Sequence, residues 1–388
     1  MNVSDIFRIA GREVRRLFSG KIYWFCIFFV PLFSCIFFLS LMQEGLPSNI
    51  PIAIVDEDKT STSRALIRQL DLLEGVEVIE VYENFNQAQT AMQKGNIYGV
   101  YLIPRHFTKK TVSGKQPVLS FYTNNSYMMA GSIAMRDMKT ASVLAAASAV
   151  LQTGRAKGYN DQQITASIQP IVIESHPIGN PGLNYSVYLN NLILPGIFAL
   201  MIMCVTIYSI SIEIKEKTEK EWFSTENFSI TFSLVGKLLP QTILFFIVGL
   251  LLYVILYILM QFPFHGNIGC MILVLFLFIL ASQAMGVFMT GCFPTLRLGL
   301  SFACLFGMIA FSISGFSYPV NAMYPPIQAI SNIFPLRHYF LIYVDQALNG
   351  RTFFYSWPQY LSLASFLVLP AFTLRNLKWS LKYASYQA

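Results

Sequence analysis

Six stretches of the chain run without an ionisable side chain for about the length of a membrane crossing, and polar segments separate them. They are 22–42, 189–212, 238–260, 268–291, 299–317 and 356–374. A helix needs about 20 mostly apolar residues to cross roughly 30 Å of hydrocarbon, so each stretch predicts one transmembrane helix. Aromatic side chains gather at several edges (Tyr23 and Trp24, Tyr185 and Tyr188, Trp357 and Tyr360, Trp379), as expected at a water–lipid boundary. The first stretch reads as a retained span: its apolar core is long, a polar lead precedes it, and no small-x-small cleavage site follows.

A different period precedes the first span. Val3, Ile6, Phe7, Ala10, Val14, Leu17 and Phe18 trace one helical face, and Arg8, Arg12, Arg15 and Arg16 lie off it. The expectation is an interfacial helix over 1–20 in the headgroup plane, where each Arg near anionic lipid contributes about 1 kcal/mol. A plain topogenic charge cluster is the simpler alternative.

Between the first two spans, 43–186 alternates strand and helix patterns. Strands are expected at 50–55, 76–82, 97–103, 118–122 and 171–175, with helices through 63–72, 84–94 and 126–157 and a short one opened by Pro104. Such alternation predicts a small α/β domain. The acidic run Asp56-Glu57-Asp58 has a cation site's composition, but a polar turn after a buried strand accounts for it. Residues 318–355 do not fit a further span, because Pro319, Pro325, Pro326 and Pro335 interrupt them. Two short helices, 325–334 and 335–348, are expected instead, as a re-entrant segment over 318–350 beside a pathway.

The fold class that follows is an α-helical integral membrane protein with six transmembrane helices and an α/β extracytoplasmic domain inserted between the first and second spans. Its parts are 1–20, the first span within 21–42, the domain 43–186, and a five-span region 187–388 with a cytoplasmic loop at 213–235. Composition agrees. Only 12% of the 388 residues are charged while 54% are hydrophobic, too few charges to cover a soluble surface. With 33 Phe and 20 Tyr to bury, disorder is excluded as well.

The charge of +7 sets orientation. Of the 27 basic residues, 13 fall in 1–21, 213–237, 293–298 and after 374, whereas the short loops on the opposite face hold only Arg337 and Arg351. Positive loops stay inside, so both termini are expected in the cytoplasm and 43–186, with balanced charge, outside. No basic nucleic-acid footprint is present. The six Cys lie in or beside spans, consistent with small apolar packing rather than a disulfide scaffold.

Catalytic constellations are missing from the sequence. There is no G-x-x-x-x-G-K-S/T phosphate loop, no H-E-x-x-H and no C-x-x-C, and the four His share no metal-ligand spacing. The spans also lack the charged relays of ion-coupled transporters. The expectation is no catalytic residue, no metal and no enzyme. Within the spans, Pro31 and Pro195-Gly196 predict kinks that serve as hinges or as packing features. Ser282, Gly286 and Thr290 form a small-xxx-small row. Arg337 could meet an anionic substrate group, pair with Asp345, or snorkel to headgroups.

The loop from Glu213 reads Glu213-Ile-Lys215-Glu216-Lys217-Thr218-Glu-Lys-Glu221-Trp222-Phe223. Glu–Lys pairing explains its charges but not an exposed Trp222-Phe223, which suggests a docking anchor ringed by charge. With Glu213, Thr218, Glu221 and Trp222, this loop resembles the loop after the second span in the permease subunits of ABC type-2 exporters, in the drug-efflux-like branch with a large domain between the first two spans. Lys217 departs from that loop, where the family has Gly. Further resemblances are Ile52-Ala-Ile-Val-Asp56 followed by Ser63-Arg-Ala-Leu66, Ser314-Gly315-Phe-Ser-Tyr-Pro319, Met323-Tyr-Pro325, and Pro335-Leu-Arg337-His-Tyr-Phe340 with Gly350.

The resemblance implies a multi-pass protein of the bacterial cytoplasmic (inner) membrane that pairs with a second permease copy or a paralogue. Separate ABC ATPase subunits would hold ATP and Mg, leaving no cofactor on this chain. It implies coupling contacts at Glu213, Lys215, Glu216, Thr218, Glu221, Trp222 and Phe223 and along the interfacial helix. A hinge or pathway would involve Pro195, Gly196, Gly315, Pro319, Pro335 and Arg337. A periplasmic membrane-fusion protein would meet the external domain. The expected function is the permease subunit of an ATP-driven exporter of apolar or amphipathic small molecules, since the spans offer no charge to pair an ion. The alternative is a membrane-anchored structural or sensory protein that binds partners through 43–186, although six spans exceed what an anchor requires.

Overall fold

The computed structural model describes residues 3–43, 45–113, 115–169, 176, 179–182, 184–218, 222 and 230–383. It divides into two compact units, Glu44–His176 and the remainder of the chain.

Among the described residues of the larger unit, six helices are long and apolar enough to cross a membrane: Lys21–Leu41, Tyr185–Glu216, Ile230–Leu259, Ile268–Cys292, Leu296–Ile313 and Phe353–Leu381. The second and third extend past the charge-free stretches that predict them, taking in Glu213 and Lys237. The backbone ladder is indifferent to side-chain charge, so the uncharged windows mark hydrocarbon and not helix ends. Local chemistry sets two starts. Asn184 Oδ1 accepts from the Ser186 and Val187 amides at 2.8 and 3.3 Å, and Asn267 Oδ1 accepts from the Gly269 amide at 2.8 Å.

The second and fourth helices are the most buried of the six. The small-residue row draws them together: a Cβ on Gly286 would lie 3.0 Å from Thr206 Cβ and 3.2 Å from the Met203 carbonyl. The first helix has a π-turn at Phe25–Phe29, just before Pro31. Proline lacks a donor and crowds the carbonyl four residues back, and the wider turn relieves that clash.

The segment after the fifth helix forms two short helices, Pro325–Ser331 and Pro335–Ile342, each with proline in its first turn, followed by a π-turn at Tyr343–Leu348. Leu336, Tyr339, Ile342 and Tyr343 are buried against Phe278 and Tyr360.

The smaller unit is a four-stranded sheet ordered β2-β1-β3-β4, with β1 Ile50–Asp56, β2 Val76–Tyr82, β3 Gly99–Ile103 and β4 Ser120–Thr123. The strands β1, β2 and β3 are parallel and β4 is antiparallel. The continuous apolar run of β1 suits its central place, covered on both faces. On one face Ile52, Ile54, Tyr101 and Ile103 meet Leu66, Leu70, Ala134 and Met138; on the other, Ala53, Val55 and Val100 meet Ala88 and Ala91.

Thr60 and Ser63 form a reciprocal cap on the helix Ser61–Asp71, and Asn84 caps Phe85–Gln93. The fourth strand begins two residues later than its pattern suggests. The short helix starts at Phe107 rather than Pro104, because the Pro104 carbonyl closes a turn onto the Phe107 amide at 3.2 Å. The helical stretch at 126–157 is a single helix, Met128–Ala156, and a further helix, Asp161–Ile168, follows it. The expected strand at 171–175 lies outside the described residues.

Candidate functional site

The amino-terminal helix, Val3–Ser19, packs against the third spanning helix. Close approach is possible because Gly236 has no side chain: a Cβ there would lie 3.1 Å from the Ile6 carbonyl and 3.2 Å from Ile9 Cβ. The buried face holds Ile9, Ala10, Glu13 and Leu17, whereas Phe7, Val14 and Phe18 are exposed. The apolar row read from the sequence is therefore split. Ala10 and Leu17 face protein, and the larger side chains form an outward stripe suited to lipid.

Where this helix crosses the ends of the second and third spans, three carboxylates meet three cations among the described residues. Glu213 is the centre. Arg12 grips it with two parallel hydrogen bonds of 3.0 Å, Lys237 Nζ donates to it at 2.7 Å, and both Arg16 and the Thr218 hydroxyl also donate to it. Lys237 donates equally, at 2.7 Å, to Glu13, whose other oxygen accepts from Gln241 Nε2 at 2.9 Å. Arg16 reaches on to Glu216 at 2.8 Å.

Glu13, Glu213 and Lys237 are fully shielded. An unpaired ion in such a place costs several kcal/mol, and the equal count of charges with four bonded carboxylate oxygens offsets that cost. Partial burial opposes the charge on Arg16, yet the neighbouring Glu213 outweighs it and holds the guanidinium above its ordinary pKa.

Lys217, Thr218 and Trp222 border this cluster. The helix ends at Lys217, which adopts the left-handed conformation at φ 55°, and the Thr218 amide returns to the Glu213 carbonyl at 3.1 Å. Trp222 is 1% exposed, its Nε1 donating to the Ser233 carbonyl at 3.3 Å and its ring 5.0 Å below Lys237 Nζ. The expected exposure of Trp222 is thus corrected: it is an internal wedge among Ile9, Ile214, Leu234 and Leu377. Burying an indole against four aliphatic side chains outweighs leaving it in water. Glu221 and Phe223 lie outside the described residues.

Arg12 and Arg16 are corrected likewise. Internal carboxylates hold them, not headgroups alone, while Arg8 and Arg15 are exposed. Lys215 and Glu216 are also exposed. Glu13, Lys237 and Gln241 escape a reading of the sequence. The signal for them is faint: an acid among the arginines of the helix, and a last lysine before an apolar run.

The residues proposed from sequence for a pathway gather elsewhere. Pro195 lies within its helix, and a Cβ on Gly196 would collide with the Phe311 ring of the fifth span. Gly196 and Pro335 border one small internal void. Gly315, at φ 97°, faces Val320, and its Cβ position lies 3.4 Å from an Arg337 nitrogen; Pro319 opens the turn Val320–Ala322 between them. Arg337 Nε donates to Asn332 Oδ1 at 3.2 Å. It does not pair with Asp345, which faces Arg351 at 3.6 Å because the chain reverses at Gly350.

Among the described residues no group of three or more His, Cys, Asp or Glu side chains could hold a metal ion. The cluster ties the amino-terminal helix to the second and third spans through charge-assisted hydrogen bonds.

A family model described as "ABC-2 family transporter protein" matches residues 21–374. The linearmycin resistance permease protein LnrN of Bacillus subtilis (strain 168) is 23% identical over 356 residues, an overlap of 86% of this chain and 88% of the relative.

Proposed function

Because the chain belongs to the ABC-2 family of transporter proteins and is a multi-pass membrane subunit, we infer that it is the permease of an exporter driven by separate ATPase chains. One observation carries the reading. The buried cluster around Glu213 joins the amino-terminal helix, the second span and the third span, while Lys215 and Glu216 on the same turn stay exposed. An ATPase that pushes on the exposed residues would transmit displacement through charge-assisted bonds rather than through a flexible loop.

The basic residues concentrate at this end of the bundle, which supports placing it and both termini in the cytoplasm and the charge-balanced segment 43–186 outside. A second permease, identical or a paralogue, would complete the path, and a periplasmic fusion protein is a further partner for the sheet unit. The six charge-free stretches within the spans offer a cargo no charge to pair, which favours apolar or amphipathic molecules. The relative's resistance to linearmycin suggests that a drug-like molecule is exported.

Purification from its native host in mild detergent tests the reading. An ATPase with a phosphate-binding loop should co-purify, and Lys215→Glu with Glu216→Lys should release it while leaving membrane insertion intact. A chain that purifies alone and exports its cargo without ATP would overturn it.

A further inference from the structure

Within the sheet unit, the long helix Met128–Ala156 packs on the sheet only through its first half, where Ile133, Ala134, Asp137, Met138 and Ala141 are buried. Its second half runs on and receives the helix Asp161–Ile168, with Gly154 seated under Ile164; a Cβ on Gly154 would lie 2.7 Å from two Ile164 carbons. Together with the helix Phe107–Val112 and the segment leading into β4, these elements enclose an open groove of about 940 Å³. That volume lies near the top of the range for small-molecule sites, roughly 300–1,000 Å³.

The chemistry of the walls is uneven. Leu119, Ala145, Ala149, Val150 and Ile164 make the floor apolar, and short side chains along the long helix keep it open. The polar lining is mostly neutral; its charged members are Lys115 and Lys157, both exposed, and among the described residues no carboxylate lines it. In a unit whose acids and bases otherwise balance, a groove with two cations and no anion is charge-complementary to one ligand class. We propose that this groove binds a single-chain amphipathic anion, a fatty-acyl carboxylate, with its hydrocarbon along the alanine floor and its head near Lys115 and Lys157. Burial of the chain drives binding, and the two ammonium groups select the charged head.

This assignment concerns binding alone and stands whether or not the protein exports such a molecule. The full chain in lipid nanodiscs would be labelled with a diazirine-bearing palmitate, and the crosslinked peptides located by mass spectrometry. Labels are expected within 111–119 and 142–167, competed by free oleate but at least tenfold less by oleyl alcohol. Lys115→Gln with Lys157→Gln should lower labelling there about tenfold, and Ala149→Trp, which fills the floor, should abolish it with the strand signals of hydrogen exchange unchanged. Labels confined to the spans, equal competition by the alcohol, capture of a two-chain phospholipid probe in preference, or a copurifying polypeptide that protects the groove would each overturn the proposal.

Discussion

Lys237 Nζ sits 2.7 Å from a Glu213 carboxylate oxygen, both side chains shielded from solvent, although 24 residues separate them along the chain. The pair is the middle of a cluster to which the amino-terminal helix supplies Arg12, Glu13 and Arg16. Removing one partner of a buried pair strands the other, at about 3–5 kcal/mol. Lys237→Met should therefore lower the melting temperature of the detergent-solubilised protein sharply. Adding Glu13→Gln rebalances the charges and should recover much of the loss. A single variant as stable as the parent would show that the cluster does not hold the helices together.

Trp222 is among the largest fully buried side chains of the described residues. Trp222→Ala should destabilise by about 3–5 kcal/mol, in the range of large-to-small core changes, and Trp222→Phe by much less. If Trp222 instead contacted a partner, both variants would melt like the parent and differ only in ATPase stimulation.

Lys217 holds a left-handed backbone at φ 55°, a conformation that costs an L side chain roughly 1–2 kcal/mol and glycine almost nothing. Lys217→Gly should raise the melting temperature, and Lys217→Val should lower it. Equal melting of all three would mean that the turn is not fixed in this conformation.

Gly266, in the loop after the third span, packs against the chain at the π-turn: an added Cβ would strike the Gln346 backbone carbonyl, which cannot rotate away. Beside it the His265 amide donates to the Ala347 carbonyl at 2.8 Å. Gly266→Ala should cost about 1–3 kcal/mol, the usual size of an overpacking defect, and speed hydrogen exchange at 343–349. Unaltered exchange there would separate the loop from the turn.

Asp58 supplies a pH dependence in the sheet unit. Its slight burial pushes the carboxyl up, but hydrogen bonds from the Thr108 and Thr60 hydroxyls and the Thr108 amide outweigh that and hold it below the usual carboxylate range. A carboxyl whose pKa is lower folded than unfolded stabilises fully above the unfolded value, about 3.9, and loses that contribution as pH falls through the folded one. Protection factors at 56–63 and 107–112, taken against intrinsic exchange rates at each pH, should therefore fall below about pH 4, and Asp58→Asn should flatten the acid response. An unchanged response in the variant would assign it to other carboxylates.

Much of the architecture was legible in the sequence because its signals are local. Hydrocarbon tolerates no unpaired charge, so charge-free runs marked the spans, and short apolar runs, alternating with acids in β2, marked the strands of the sheet unit. The left-handed turn was half legible: the family pattern places glycine where Lys217 adopts a glycine-like backbone. What the sequence could not show was which faces met. Arg12 reads as one of four arginines on a headgroup-facing helix, and its distinction from the exposed Arg15 is only that Glu213, 201 positions away, lies within reach. Trp222 reads as a docking anchor because burial by residues distant in sequence leaves no mark beside it. Composition and periodicity fixed the class, the number of spans and the α/β insert by themselves. Tertiary structure alone decided which charges became internal, because pairing a buried ion depends on distances between helices and not on neighbours in the chain.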